Sequence, residues 1–207
     1  SKPAEKIKQL ACICHENQKN GVLRHIFQTY GLKRVIIFSS SKQKVKEINK
    51  ALKSIKVNSG EMHSDLMQSQ RDEVMYLFKS GQIDVLVATD IVARGIDIDD
   101  ISMVINYDVP HDCEDYVHRI GRTARADHDG IAITLVRGKE IRNFMEIETF
   151  LGHEVEKIPL PKELGKAPEY KISESRSGHH NEKRGKGRFK KKGKFNKKGN
   201  KPKEQRK

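Results

Sequence analysis

Four short apolar runs rich in β-branched residues, at positions 35–38, 85–88, 103–105 and 131–136, constrain this chain more than any other feature. Each is apolar throughout rather than alternating, so each is expected to be a strand covered on both faces. A weaker run surrounds Val57, and a first strand is expected within residues 7–15, where Cys12 and Cys14 fall on one side of the pleat. Helical patterns fill the gaps over 43–55, 68–80 and 112–119, and another follows the last strand over 139–151. Strand and helix in alternation, with both strand faces covered, predict an α/β fold built on a mostly parallel sheet flanked by helices. In open sheets of this kind ligands bind beyond the carboxyl ends of the strands. The loops after Phe38, Ala88 and Tyr107, and the helix ending near Arg119, are therefore the places to seek function.

Charge divides the chain. Its 207 residues carry 41 Lys+Arg against 28 Asp+Glu, a net +13. Residues 176–207 hold 15 of the cations and 2 of the acids, which leaves 26 of each sign and a neutral body before them. That stretch is Lys, Arg, Gly, Ser and Asn with almost nothing apolar, so it cannot bury enough surface to offset chain entropy and is expected to be disordered when free. A short repeat within it places Phe189 ahead of Lys190, Lys191 and Lys192, then Phe195 in the matching position. Such a polycation suits nucleic acid, its lysines displacing counterions from phosphates and its rings stacking on unpaired bases. The expected organisation is a folded domain over 1–160, a linker over 161–175 and a basic tail over 176–207. No apolar run reaches the roughly 18 residues of a membrane span, so no membrane association is expected. Three cysteines without metal-ligand spacing favour a reducing, cytoplasmic setting and no metal site.

Residues 118–125 read His-Arg-Ile-Gly-Arg-Thr-Ala-Arg and place Arg119, Arg122 and Arg125 three apart. On a helix or helical turn that spacing is expected to bring the guanidiniums to one side, where their planar forks match phosphate oxygens. Residues 89–97 follow a buried strand and offer the hydroxyl of Thr89, a close backbone approach at Gly95, and the carboxylate of Asp97 for sugar hydroxyls. Gln68 and Arg71 open a helix with a polar side chain and a cation, as a phosphate-contacting helix start does.

Taken in order over residues 7–151, these segments resemble the C-terminal RecA-like domain of the DEAD-box RNA helicases. Residues 35–38 match the family's fourth motif, Gln68 with Arg71 its Q-x-x-R element, residues 89–97 its fifth motif, and residues 118–125 its sixth. Residues 104–110 match the segment between the last two. His118 at the head of the sixth motif favours this RNA-directed group over relatives that begin it with Gln. The resemblance implies that Arg122 and Arg125 are arginine fingers reaching the ATP γ-phosphate. It likewise implies that Gly95 and Asp97 meet the ribose, that Arg94 and His118 couple the two helicase domains, and that Gln68, Arg71 and Thr89 contact the RNA backbone. The basic tail then reads as an RNA-binding tail, with bacterial members of the family as the nearest pattern.

Two positions depart from the family pattern, Ala124 for a glycine in the sixth motif and Ser64 for the glycine after His63, yet every charge is retained. A Gly-Lys-Thr phosphate loop and an Asp-Glu-Ala-Asp magnesium site are both missing from the 207 residues. The expectation is therefore half of an ATPase, inactive alone, whose ATP with Mg²⁺ is held mainly by an N-terminal RecA-like domain of the same protein. RNA and that domain are the expected partners, and the expected state is a monomer. The alternative is a non-enzymatic RNA-binding or annealing module driven by the basic tail.

Overall fold

The computed structural model describes residues 7–30, 32–90, 98, 100–123 and 129–172. Seven strands form one sheet: β1 (Ile7–Ile13), β2 (Val35–Ser39), β3 (Ser59–Met62), β4 (Val85–Thr89), β5 (Met103–Asn106), β6 (Gly130–Val136) and β7 (Glu156–Ile158). Their spatial order is β3-β4-β2-β5-β6-β1-β7, and every pair is parallel. Among the described residues five α-helices cover it: α1 (Lys19–Thr29), α2 (Lys42–Ser54), α3 (Gln68–Lys79), α4 (Cys113–Ile120) and α5 (Ile141–Leu151). This is the parallel α/β arrangement that the apolar runs predict, and the RecA-like fold that the resemblance implies.

The pleat sorts each strand between two cores. Val35 and Ile37 of β2 join Leu10, Cys12 and Cys14 on a first face, where Val22, Leu23 and Ile26 of α1 and Val45, Ile48 and Leu52 of α2 pack against them. Ile36 and Phe38 face the other way, with Phe78 of α3, and on the same side Tyr116, Ile120 and Phe144 bring in α4 and α5. Local signals set the helix starts. The Ser41 hydroxyl accepts from the Lys44 amide at 3.2 Å at the head of α2, and the Asp112 carboxylate accepts from the Asp115 amide at 2.7 Å at the head of α4.

Two elements lie outside the predicted pattern. Helix α1 buries only a few apolar residues among Asn20, Gly21, Arg24 and His25, so its period is faint. Strand β7 is three residues of mixed charge that exist because β1 offers Leu10, Ala11 and Cys12 as pairing partners. Strand β3 sits just beyond Val57, at a segment whose buried residues include Ser59 and Gly60 and whose sequence is accordingly weakly apolar.

The segment expected as a linker is docked over much of its length. Leu164 packs on the first core and lies so close to Gly21 that a β-carbon there would be 2.4 Å from Leu164 Cδ2. The Gln18 amide donates to the carbonyls of Leu164 and Lys166 at 2.8 and 3.0 Å. Tyr170 packs on the opposite core and donates its hydroxyl to Glu148, which also accepts from Lys157. The basic tail over 176–207 lies outside the described residues.

Candidate functional site: two rims of one sheet

At the carboxyl ends of the strands, Asp108 is the hub. Its Oδ2 accepts from the Ser39 hydroxyl at 2.9 Å and the Ser40 amide at 2.8 Å, and its Oδ1 accepts from Lys19 at 3.2 Å and Lys44 at 3.1 Å. Lys19 is wholly buried, 3.0 Å from Glu16 and 4.9 Å above the Tyr107 ring. Burial alone would raise the Asp108 pKa, but the two ammonium groups and the Ser39 and Ser40 bonds hold it far below the usual carboxylate range. Neighbouring Glu140 goes the other way, pushed up by burial and by the charge on Asp108. The effect is to fix the loop after β2 from beneath. Lys19 could not be found in advance, because it stands in the faint helix α1; Asp108 lay within the family-like segment without a role.

Arg119 corrects the expectation that three guanidiniums converge. It is 6 % exposed, bonds Asn106 Oδ1 at 3.1 Å and pairs with Asp90, while its guanidinium stacks 5.2 Å over the Phe38 ring. Burial draws its pKa down and the Asp90 charge opposes that. The cause is directional: helical side chains lean toward the helix start, and the buried Asn106 and half-buried Asp90 wait there as acceptors. Arg119 thus ties helix α4 to the residue that follows β4.

Three residues further on, the chain has reached the other end of the sheet. Helix α4 runs opposite to the strands and closes in a 3-10 turn at Gly121–Thr123. Thr123 lies against Gly130, the first residue of β6, where an added β-carbon would be 2.2 Å from Thr123 Oγ1. Thr123 also lines a cavity of about 410 Å³ with Lys33, Arg34, Asp100, Ile101, Ser102 and Asp129, at the amino ends of β2, β5 and β6. The half-exposed Arg122 therefore belongs to the amino rim, not to the carboxyl rim where the helix ending near Arg119 was expected to deliver it.

The carboxyl rim gathers Thr89, Gln68 and Arg71. Thr89 ends β4 directly beside Ser39 in register. Gln68 and Arg71 open α3, which leaves β3 next to β4; the Gln68 amide donates to Asp72 at 2.9 Å and Arg71 Nη2 to the Ser64 carbonyl at 3.4 Å. Asp65, in the loop before them, is clasped by Lys42 and Lys46 at 2.8 Å each, and their hydrogen bonds bring its pKa down to about 2. His118 is exposed on α4, away from that cluster. Arg94, Gly95, Asp97, Arg125, Phe189, Lys190, Lys191, Lys192 and Phe195 lie outside the described residues. Among the described residues no three His, Cys, Asp or Glu side chains gather to hold a metal ion, and no helix is long and apolar enough to cross a membrane.

Comparison with known proteins places this arrangement. The helicase conserved C-terminal domain model matches residues 18–127. Eukaryotic initiation factor 4A of Dictyostelium discoideum is 38% identical over 145 residues, 70% of this chain and 36% of that protein. The ATP-dependent RNA helicase eIF4A of Aspergillus clavatus is 39% identical over 157 residues, 75% of this chain and 39% of that protein. The chain thus spans well under half the length of these relatives. Among solved structures, the E. coli DEAD-box protein SrmB bound to regulator of ribonuclease activity A superposes with a TM-score of 0.71 at 30% identity, covering 80% of this chain and 98% of that one. A DEAD box protein from the hyperthermophile Methanococcus jannaschii gives 0.69 at 36% identity, covering 74% and 42%. With sheet order, motif positions and sequence all in agreement, the chain belongs to the helicase conserved C-terminal domain family, as the C-terminal domain of a DEAD-box helicase.

Proposed function

We propose that the chain is the C-terminal half of an ATP-dependent DEAD-box RNA helicase, which completes a nucleotide site on its amino rim and grips RNA on its carboxyl rim. The observation that carries this reading is the tie between the buried Arg119 and the half-buried Asp90. Asp90 follows Thr89, the proposed backbone contact, and Arg119 precedes Arg122, the proposed arginine finger, by less than one helical turn. A strand of RNA pressing on Thr89 is thereby linked through the half-buried Asp90 and the buried Arg119 to the segment that meets the nucleotide.

In this reading Arg122 and Arg125 donate to the γ-phosphate, Gly95 and Asp97 receive the ribose, and Arg94 and His118 couple the two RecA-like domains. Gln68, Arg71 and Thr89 hold the RNA backbone without reading sequence. The tail residues Phe189, Lys190, Lys191, Lys192 and Phe195 add a tether. Arg122, half-exposed in the turn that follows α4, carries a planar fork of donors matched to phosphate oxygens, so it suits ATP. ATP with Mg²⁺ would be held mainly by the N-terminal RecA-like domain and would supply the phosphoryl bond to be cleaved, with Arg122 and Arg125 as this chain's donors to it.

The test uses the parent protein with its preceding domain. Arg122→Ala should lower RNA-stimulated ATP turnover by about 10³-fold, the scale of an arginine finger, and leave nucleotide-free RNA binding intact. The 207-residue chain alone should neither turn over ATP nor unwind RNA, and robust turnover by it would overturn the reading. The net +13 charge supports a second reading, a non-enzymatic RNA-binding or annealing module. That reading gains if deleting 176–207 abolishes RNA affinity while Arg122→Ala changes nothing.

A further inference from the structure

We propose that the outer side of α2 is a second backbone-binding track for RNA, which carries the strand away from the carboxyl rim. Between positions 42 and 56 the sequence has six lysines and one acid, Glu47, a local excess within a body whose charges balance only as a whole. Lys44 turns inward to Glu16 and Asp108. Lys42, Lys46, Lys50 and Lys53 are exposed, and their spacing aligns them along one side of the helix at steps of about 6 Å, apart from the Val45, Ile48 and Leu52 face. A row of cations at one-turn intervals complements the repeating phosphates of a nucleic-acid strand.

Two observations choose RNA over an anionic membrane. Every exposed residue of α2 is polar, so the helix lacks the apolar face with which an interfacial helix enters lipid. The row is also continuous with the rim: Ser41 caps α2 one residue after the loop fixed by Asp108, and Lys42 and Lys46 both bond Asp65 in the loop leading to Gln68 and Arg71. A strand lying across Thr89, Gln68 and Arg71 has these lysines next in line. The track rests on the RNA-contact reading of the rim, and the test keeps the two apart.

Lys50→Gln/Lys53→Gln leaves the Asp65 clasp intact and removes the far half of the row. Affinity for a short oligouridine that fills only the rim and for a longer one should be measured across a salt series on the 207-residue chain. The longer strand should bind the double variant more weakly, with a log–log salt slope shallower by about 1.4, the value for two lost single-strand phosphate contacts, while the short strand is unaffected. Arg71→Ala should weaken both. If the double variant binds both strands as the parent does while Arg71→Ala weakens both, the track is wrong and the rim reading stands. If neither variant weakens either strand, both readings fall. Loss of binding to phosphatidylserine vesicles with RNA binding unchanged would overturn the track in favour of a membrane.

Discussion

Asp108 and Asp65 have the same chemistry and opposite settings. Each carboxylate is held by two lysines, Lys19 and Lys44 in one case, Lys42 and Lys46 in the other. Asp108 is buried with a wholly buried lysine and two further hydrogen bonds, whereas Asp65 and both its lysines are exposed. Inside, the charges have given up water and depend on one another, so removing one strands the rest. Outside, water and salt screen the pair, and either partner can let go. The first pair is therefore a foundation for the carboxyl rim, and the second leaves its lysines available to a stronger anion.

The largest effect should come from the buried site. Asp108→Ala is expected to destabilise the fold by about 3–5 kcal/mol in denaturant unfolding, because wholly buried Lys19 is left with only the more exposed Glu16 and Glu140 and the Ser39 and Ser40 donors lose their acceptor. Lys19→Met should cost less, since Asp108 keeps Lys44, Ser39 and Ser40; equal losses would break the account of Asp108 as the hub. Acid should give the next effect. The folded pKa of Asp108 lies below its unfolded value of about 3.9, so its contribution is present above that pH and is lost as pH falls toward the folded value. Unfolding midpoints measured below about pH 4 should thus fall more steeply in the parent chain than in Asp108→Asn. The smallest effect is at the surface. The Asp65 carboxyl should titrate near 2 by NMR and move back toward about 3.9 in Lys42→Gln/Lys46→Gln or at high salt. A salt-insensitive Asp65 would mean that the clasp is not the open pair seen here.

Much of this architecture was legible because its strands are covered on both faces and so read as unbroken apolar runs. The runs at 35–38 and 85–88 sit in adjacent strands, Val35 beside Val85. What was hidden depends on partners rather than local pattern. Strand β7 exists through β1, helix α1 through the core beneath it, and the docking of 161–170 through Gln18, Gly21 and Glu148. At the candidate site, residue types and spacing picked out Thr89, Gln68, Arg71 and Arg122. They did not show that Arg119 would turn inward, because its acceptors Asp90 and Asn106 lie 29 and 13 residues away. Nor could spacing tell which end of the sheet a helix delivers its last residues to; that follows from α4 running opposite to the strands until Thr123 meets Gly130.

The docked segment after β7 bears on how copies of this protein meet. A parallel sheet ends in two margins whose backbone groups invite further strands, and open margins are where chains begin to polymerise. Here one margin is the three-residue β7 and the other the four-residue β3. Past β7 the chain moves from the first core at Leu164 to the second at Tyr170, with Tyr170 beside Lys157 of β7 itself. A second copy arriving at that margin finds a template one or two hydrogen bonds long, flanked by side chains already engaged. Filament growth has little to start from at that margin.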